Sequence, residues 1–328
     1  MIEVSNVTKD FRVFKREKGF AASLKSIITR NYEIKKAVNN INFNIQEGEL
    51  VGYIGANGAG KSTTIKMLAG ILVPTSGLVK VNGKEPYLNR KENAMDIGVV
   101  FGQRTQLYWN LPMEETFDLF AKIYKINPKI FRNNVEYYVD LLEMKPFLRT
   151  PVRQLSLGQR MRAELAVALL HDPKILYLDE PTIGLDVAVK AKIRNFIKQI
   201  NKTKKTTVIL TTHDMKDIEE VCDRIITINK GEVIFDNTVT AFKNNFNPGH
   251  VLTLDLDDKD NKLNDNRLKL LKDEGFRKSF LFNKNDLSVA QAISIISKNY
   301  EIKDMQLKEP DIEEAVKYLY AAASKEAN

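Results

Sequence analysis

Along the first two thirds of the chain, short apolar runs alternate with longer stretches of helical period. "IEVSNV" and "INFNI" alternate apolar and polar residues, which predicts two half-exposed strands. "ELVGYIG" runs into a glycine-rich loop. "KSTTIKMLAGIL" follows it and places Ile65, Leu68, Ala69 and Leu72 at helical spacing. "KILYLDE" and "TTVILTTH" are continuous apolar runs, the pattern of parallel strands covered on both faces. From about Pro112 to Leu170 the texture is helical, with "EETFDLFAKIYKI" and "RNNVEYYVDLLEM". These patterns predict an α/β core with a buried sheet, interrupted by a helical subdomain at about 103–172.

Beyond "GEVIFDN" the pattern changes, and we place a boundary there: a first domain over 1–238 and an accessory domain over 239–328. Leu252, Leu254 and Leu256 fall on one strand face, and Val289, Ala292, Ile293 and Ile296 on one helix face. A last helix opens at "EPDIEEAVKYLY", where Pro310 suits a first helical position and the acids suit the positive end of the helix dipole. Ile312, Val316 and Leu319 give that helix an apolar side. The accessory domain is therefore expected to be small and α+β, with dimer stabilisation as its expected role. No long internal repeat or coiled-coil heptad is visible.

Composition narrows the class. Apolar residues make up 43% and charged residues 28% of 328 residues, ordinary for a globular protein. No apolar run approaches the roughly 18 residues that cross a bilayer. The start "MIEVSNVTKDF" lacks the apolar region of a secretory signal, and the single cysteine, Cys222, excludes an internal disulfide. We therefore expect a cytoplasmic protein whose membrane contact is peripheral. The net charge is +8, and the segment from Phe11 to Lys36 holds eight basic residues against two acidic ones. That segment reads either as a solvated, partly helical insertion or as a basic surface facing anionic lipid or an acidic partner.

Three stretches carry chemistry. "GANGAGKS", Gly55 to Ser62, satisfies G-x-x-x-x-G-K-[ST] between a strand and a helix. Gly55, Gly58 and Gly60 let backbone amides turn toward phosphate oxygens, and Asn57 and Thr63 complete the nucleotide-contacting set. Lys61 reaches the β- and γ-phosphates, Ser62 ligates Mg2+, and the helix N-terminus attracts the anion. "ILYLDE" sets Asp179 and Glu180 at the end of a buried strand, Asp179 as a metal ligand and Glu180 as the general base. "LSLGQ" supplies Ser156 as a helix N-cap with Gly158 and Gln159 behind it, a second phosphate-seeking edge. One ATP needs one cradle. A second cradle implies an ATP held by another subunit.

The order GANGAGKS, Gln103, LSLGQ, ILYLDE, GLD and TTHD resembles the ATP-binding subunits of ABC transporters over roughly residues 1–238. The resemblance implies an ABC-type P-loop NTPase with a RecA-like core, a β-subdomain and an inserted helical subdomain, working with ATP and Mg2+. It implies Gln103 as the glutamine that senses the metal and γ-phosphate and couples to the permease. It implies Asp186 as the aspartate that crosses the dimer, His213 as the switch histidine on the γ-phosphate, and Phe11 as the aromatic stacked on adenine. Gln106 stays open as an alternative to Gln103, and Phe14 or Tyr32 as alternatives to Phe11. His171 and His250 match nothing and read as structural. Leu157 stands where many members have glycine, and Gly102 is an extra glycine before the glutamine.

That unusual glutamine loop, the basic insertion and "PVRQLSLGQRMRAELAVALLHDP" resemble a narrower group, the ABC-2-type exporter ATPases with two separate permease chains, several tied to multidrug or viologen export. The expected partners are then permease subunits and a second copy of the chain, a heterodimer being the variant, with no nucleic acid. Rival members act on DNA or the ribosome, but those with long coiled coils, cysteine zinc sites or two cores per chain do not fit this sequence. An importer ATPase is a further rival, usually with a larger β-rich regulatory domain.

Overall fold

A computed structural model describes residues 1–14, 32–102, 104–246, 249–257, 265–284, 286–308, and Ile312, Glu313, Ala315, Val316 and Leu319. It divides into two compact units, Met1–Val239 and Thr240–Asn328.

The first unit opens with β1 (Ile2–Phe14) and β2 (Tyr32–Ile45), an antiparallel hairpin in which Ile2 faces Ile45 and Phe14 faces Tyr32. Then come β3 (Leu50–Gly55), α1 (Lys61–Leu68), β4 (Ser76–Val81), α2 (Arg90–Asp96) and β5 (Ile97–Phe101). The helical stretch holds α3 (Met113–Ile123), α4 (Pro128–Leu141) and α5 (Leu157–Leu169). The chain returns through β6 (Ile175–Asp179), α6 (Val187–Lys204), β7 (Thr207–Thr211), α7 (Met215–Val221), β8 (Arg224–Asn229) and β9 (Glu232–Thr238).

Six strands form one sheet in the order β5-β6-β7-β3-β8-β9, parallel except for β9. Every residue of β3 and β7 is buried, because α7 lies on one face of the sheet and α1 with the small antiparallel sheet on the other. A smaller antiparallel sheet, β2-β1-β4, shows the alternation expected when one face is wet. Its inward residues Ile2, Val4, Ile41 and Phe43 share one core with Tyr53, Ile65, Tyr177 and Ile226. The parallel strands all end on the same side, so the loop after β3 and the carboxylates after β6 emerge together.

One expectation is corrected. The helix after the glycine loop stops at Leu68 rather than Leu72, because Gly70 takes a φ of 74° and the amides of Ile71 and Leu72 fold back onto the Lys66 carbonyl. Ile71 and Leu72 therefore leave the helix. The flanks of the basic segment are strand, β1 running to Phe14 and β2 starting at Tyr32, and the expected partly helical insertion falls on residues outside the described ones. Lys15, Arg16, Lys18, Lys25 and Arg30 lie outside the described residues.

The second unit contains α8 (Val239–Asn245), whose first residue closes the preceding unit, then β10 (His250–Leu256), β11 (Lys269–Glu274), β12 (Arg277–Phe282), α9 (Val289–Ile296) and β13 (Ile302–Lys308). Its sheet is antiparallel in the order β11-β12-β10-β13. Leu252, Leu254 and Leu256 pack with Phe280, Phe282, Ala292 and Ile296 in its core. Ser288 and Gln291 form a capping box at the start of α9. Ile312, Val316 and Leu319 are buried, whereas Pro310 lies outside the described residues.

Candidate functional site

The glycine loop is fastened from below. The Ala59 amide donates to the Ala56 carbonyl at 3.0 Å, and the Gly231 amide donates to the Ala59 carbonyl at 2.9 Å. Gly60 has a φ of 115°, and a Cβ there would meet the Ala37 carbonyl oxygen at 2.5 Å, so only glycine lets the loop pass beside β2. Asn57 and Gly58 are exposed, Gly55 and Gly60 buried, and Ser62 and Thr63 half-buried in the first turn of α1. Lys61 is buried, and its Nζ donates to the carbonyls of Gly55 at 2.7 Å and Ala56 at 3.2 Å. Burial lowers the Lys61 pKa, while Glu180 and then Asp179 act to raise it, placing both carboxylates within electrostatic reach of the ammonium.

At the neighbouring strand ends, Asp179 closes β6 and its Oδ1 accepts from the Thr211 hydroxyl at 2.6 Å. The Glu180 amide donates to the Thr211 carbonyl at 2.9 Å. Glu180 has a φ of 57°, a left-handed conformation costing on the order of 1 kcal/mol for a residue with a side chain. Its Oε1 lies 2.8 Å from His213 Nε2. The structure thus brings Lys61, Asp179, Glu180 and His213 together. It sets His213 against Glu180, a pairing that the reading of the histidine as a phosphate switch did not include.

Gly102 has a local cause. Its amide donates to the Asp179 carbonyl at 2.7 Å, and a Cβ would lie 2.2 Å from the Glu180 carbonyl oxygen. The chain just after β5 crosses directly over the turn at Glu180, and a side chain there would push the turn aside. Gln103 lies outside the described residues. For Gln106, the backbone amide donates to Glu164 Oε1 at 3.2 Å, and the side-chain Nε2 is buried without a partner. The Thr105 hydroxyl donates to the same Glu164 oxygen. Burial pushes the Glu164 carboxyl up, and the Thr105 and Gln106 donors work to hold it down.

Ser156 is exposed and caps α5: the Gln159 amide donates to its Oγ at 3.2 Å, and its own amide donates to Gln159 Oε1 at 2.9 Å. Gly158 lies against Val189, so the turn leans on the start of α6. Asp186 caps that helix, its Oδ1 accepting from the Val189 amide at 2.9 Å. Among the aromatics weighed for adenine, Phe11 is 37% exposed with Lys9 Nζ 5.3 Å from its ring centroid. Tyr32 is also exposed, under the Arg12 guanidinium at 4.9 Å. Both belong to the hairpin that carries Ala37 past Gly60. The side chain of Phe14 lies outside the described residues.

Among the described residues, no three His, Cys, Asp or Glu side chains form a metal-holding cluster. Ser62 and Asp179 offer oxygen donors at the same end of the sheet. That incomplete set fits Mg2+, which takes one or two protein oxygens and completes its shell with phosphate oxygens and water. Sequence reasoning missed Thr211, which bonds Asp179, and Thr182, Asp217 and Arg194, which bond one another beside the Glu180 turn. The two threonines of "TTHD" were the visible signal.

A phosphate cradle, a carboxylate-histidine pair and a capped second helix terminus on this sheet define the ATP-binding subunit of an ABC transporter. The family described as ABC transporter matches residues 38–183, and the chain belongs to it. It is an ATPase subunit. The chain is 35% identical over 203 residues to the ABC transporter ATP-binding protein NatA of Bacillus subtilis, covering 62% of this chain and 82% of NatA. It is 34% identical over 207 residues to the bacitracin transport ATP-binding protein BcrA of Bacillus licheniformis, covering 63% of this chain and 66% of BcrA. Among solved structures, the dimeric post-hydrolysis state of the ATP-binding cassette MJ0796 bound to ADP and Pi superposes with a TM-score of 0.61 at 29% identity, over 73% of this chain and 99% of that one.

Proposed function

We propose that the chain energises an ABC-2-type exporter, hydrolysing ATP in a head-to-tail pair and passing the motion to separate permease subunits. The observation that carries the hydrolytic part is the Glu180–His213 contact of 2.8 Å beside the buried Lys61. Lys61 and the loop amides bind the triphosphate. Glu180 takes the proton of the attacking water, and His213 orients the Glu180 carboxylate and faces the γ-phosphate. Ser62 and Asp179 would hold Mg2+, which when bound neutralises charge on the β- and γ-phosphates. Ser156, Gly158 and Gln159 of one copy donate to the γ-phosphate bound by Lys61 of the other. Asp186 lies at the seam, and Phe11 stacks on adenine. Gln103 links this edge to the permease.

The exporter direction is supported by the likeness to BcrA, named for bacitracin transport, and by the unusual glutamine loop. Peripheral attachment at the cytoplasmic face fits the absence, among the described residues, of any helix long and apolar enough to cross a membrane. The test is affinity purification of the chain from membranes, followed by ATP-dependent transport in vesicles. Co-purification of a polytopic membrane protein and substrate movement out of the cytoplasmic side are expected. Recovery of nucleic acid with steep salt dependence, and no membrane protein, would overturn it.

A further inference from the structure

Two threonines bracket the catalytic pair. Thr182 follows Glu180 by two residues, and Thr212 immediately precedes His213. Their hydroxyls donate to the same atom, Asp217 Oδ2, at 2.5 Å and 3.1 Å. Asp217 sits on α7 and is 1% exposed. Its other oxygen accepts from Arg194 Nη1 at 2.9 Å, and Arg194, also buried, reaches Glu220 through Nε at 2.8 Å. On the far side of His213, the Asp214 amide donates to Thr212 Oγ1 at 3.0 Å, and Lys190 holds the Asp214 carboxylate at 2.7 Å. The chain is therefore tied down on both sides of His213 and just beyond Glu180.

A buried ion pair is a poor source of stability, since apolar residues of similar volume usually do as well. What a buried, fully hydrogen-bonded carboxylate supplies is a fixed point. Here two separate loops, one from β6 and one from β7, are referred to one oxygen. The left-handed turn at Glu180 needs such a constraint, because its conformation is not one the residue prefers.

We propose that Asp217 is a positioning residue that registers Glu180 against His213 through the hydroxyls of Thr182 and Thr212. The proposal rests on the reading of Glu180 and His213 as the hydrolytic pair. Arg194 holds the carboxylate in place, and Asp217 touches no reacting atom.

The experiment compares the full chain with Thr182→Val, Thr212→Val, the double variant, and Thr→Ser at each position. Turnover at saturating Mg-ATP, ATP affinity and thermal midpoint are measured together. Each valine variant is expected to lower kcat by about 10- to 100-fold, the scale of a misplaced catalytic group, with ATP affinity retained. The double variant is expected to be little worse than either single one, because both act through one anchor. Serine, which keeps the hydroxyl, restores most of the turnover. Wild-type kcat in both valine variants would overturn the proposal. So would serine variants as slow as valine, or a kcat loss matched by equal losses of ATP affinity and thermal midpoint. Glu180→Gln runs in parallel. If it hydrolyses at the wild-type rate, the hydrolytic pair itself is wrong; if it is inactive while the valine variants are fast, only the anchor falls.

Discussion

The turn at Glu180 and the turn at Ser156 both present polar groups at the edge of the first unit, and the chain secures them differently. Around Glu180, side chains from β6, β7, α6 and α7 interlock: Thr211 on Asp179, Thr182 and Thr212 on Asp217, His213 on Glu180. Around Ser156 the bonds are local to one helix start, Ser156 with Gln159, and the turn is exposed. The first arrangement is that of a site assembled within one chain. The second is a capped helix terminus whose first residues are exposed. The difference fits the proposal that a nucleotide is gripped by one region of one copy and by the other region of its neighbour.

The largest effect is expected at Glu180. Glu180→Gln should slow phosphate release by about 10²- to 10⁴-fold, the range of general-base catalysis, while ATP still binds. Unchanged turnover would remove the carboxylate from that role. Lys61→Ala should weaken ATP binding by about 10- to 100-fold, as the loss of a charge-assisted contact does, measured by equilibrium titration of the full chain. Ser156→Ala should leave ATP binding to a single chain near wild type and lower turnover. The lost cap costs about 1 kcal/mol of stability.

The two variants sharpen the comparison when mixed. A pair made of one Lys61→Ala chain and one Ser156→Ala chain contains one intact composite site, so activity should partly return. No recovery on mixing would place both half-sites in the same chain.

The smallest effect concerns His171, which meets the start of β5, the end of that strand away from Asp179. Its ring stacks on Tyr124 at 4.0 Å, and its Nε2 meets the Ile97 carbonyl at 3.0 Å, tying the end of α5 to the start of β5. Burial lowers its pKa to about 4, against 6.5 for the free side chain. The folded state then holds a neutral ring where the unfolded chain binds a proton. Its contribution is complete above about pH 6.5 and is lost as pH falls toward 4, on the order of 3 kcal/mol in all. Denaturant unfolding across that range should show this slope, and His171→Gln should flatten it.

Much of this molecule is legible in its residues. The loop at Gly55–Ser62, the strand into Asp179 and the cap at Ser156 announce themselves because each needs particular residue types at fixed spacing. Gly102 was visible only as a departure; its reason, contact with the Glu180 carbonyl, depends on β5 lying beside β6. The anchor at Asp217 was hidden for the same kind of reason. Thr182, Thr212, Arg194 and Asp217 come from four segments, and no local pattern shows that they share one buried carboxylate. The two arms of the hairpin around the basic segment were not read from the sequence as strand, and pairing of Phe11 with Lys35 and Phe14 with Tyr32 makes them so. Their partners lie some twenty residues apart in the chain, which no local pattern shows.

The most direct measurement is the solution mass of the full-length Glu180→Gln chain, by light scattering, with and without Mg-ATP. The account predicts a single chain of 37.4 kDa without nucleotide and twice that mass with it, reverting when Ser156 is also changed to alanine. A mass that stays at one chain under saturating Mg-ATP would contradict it.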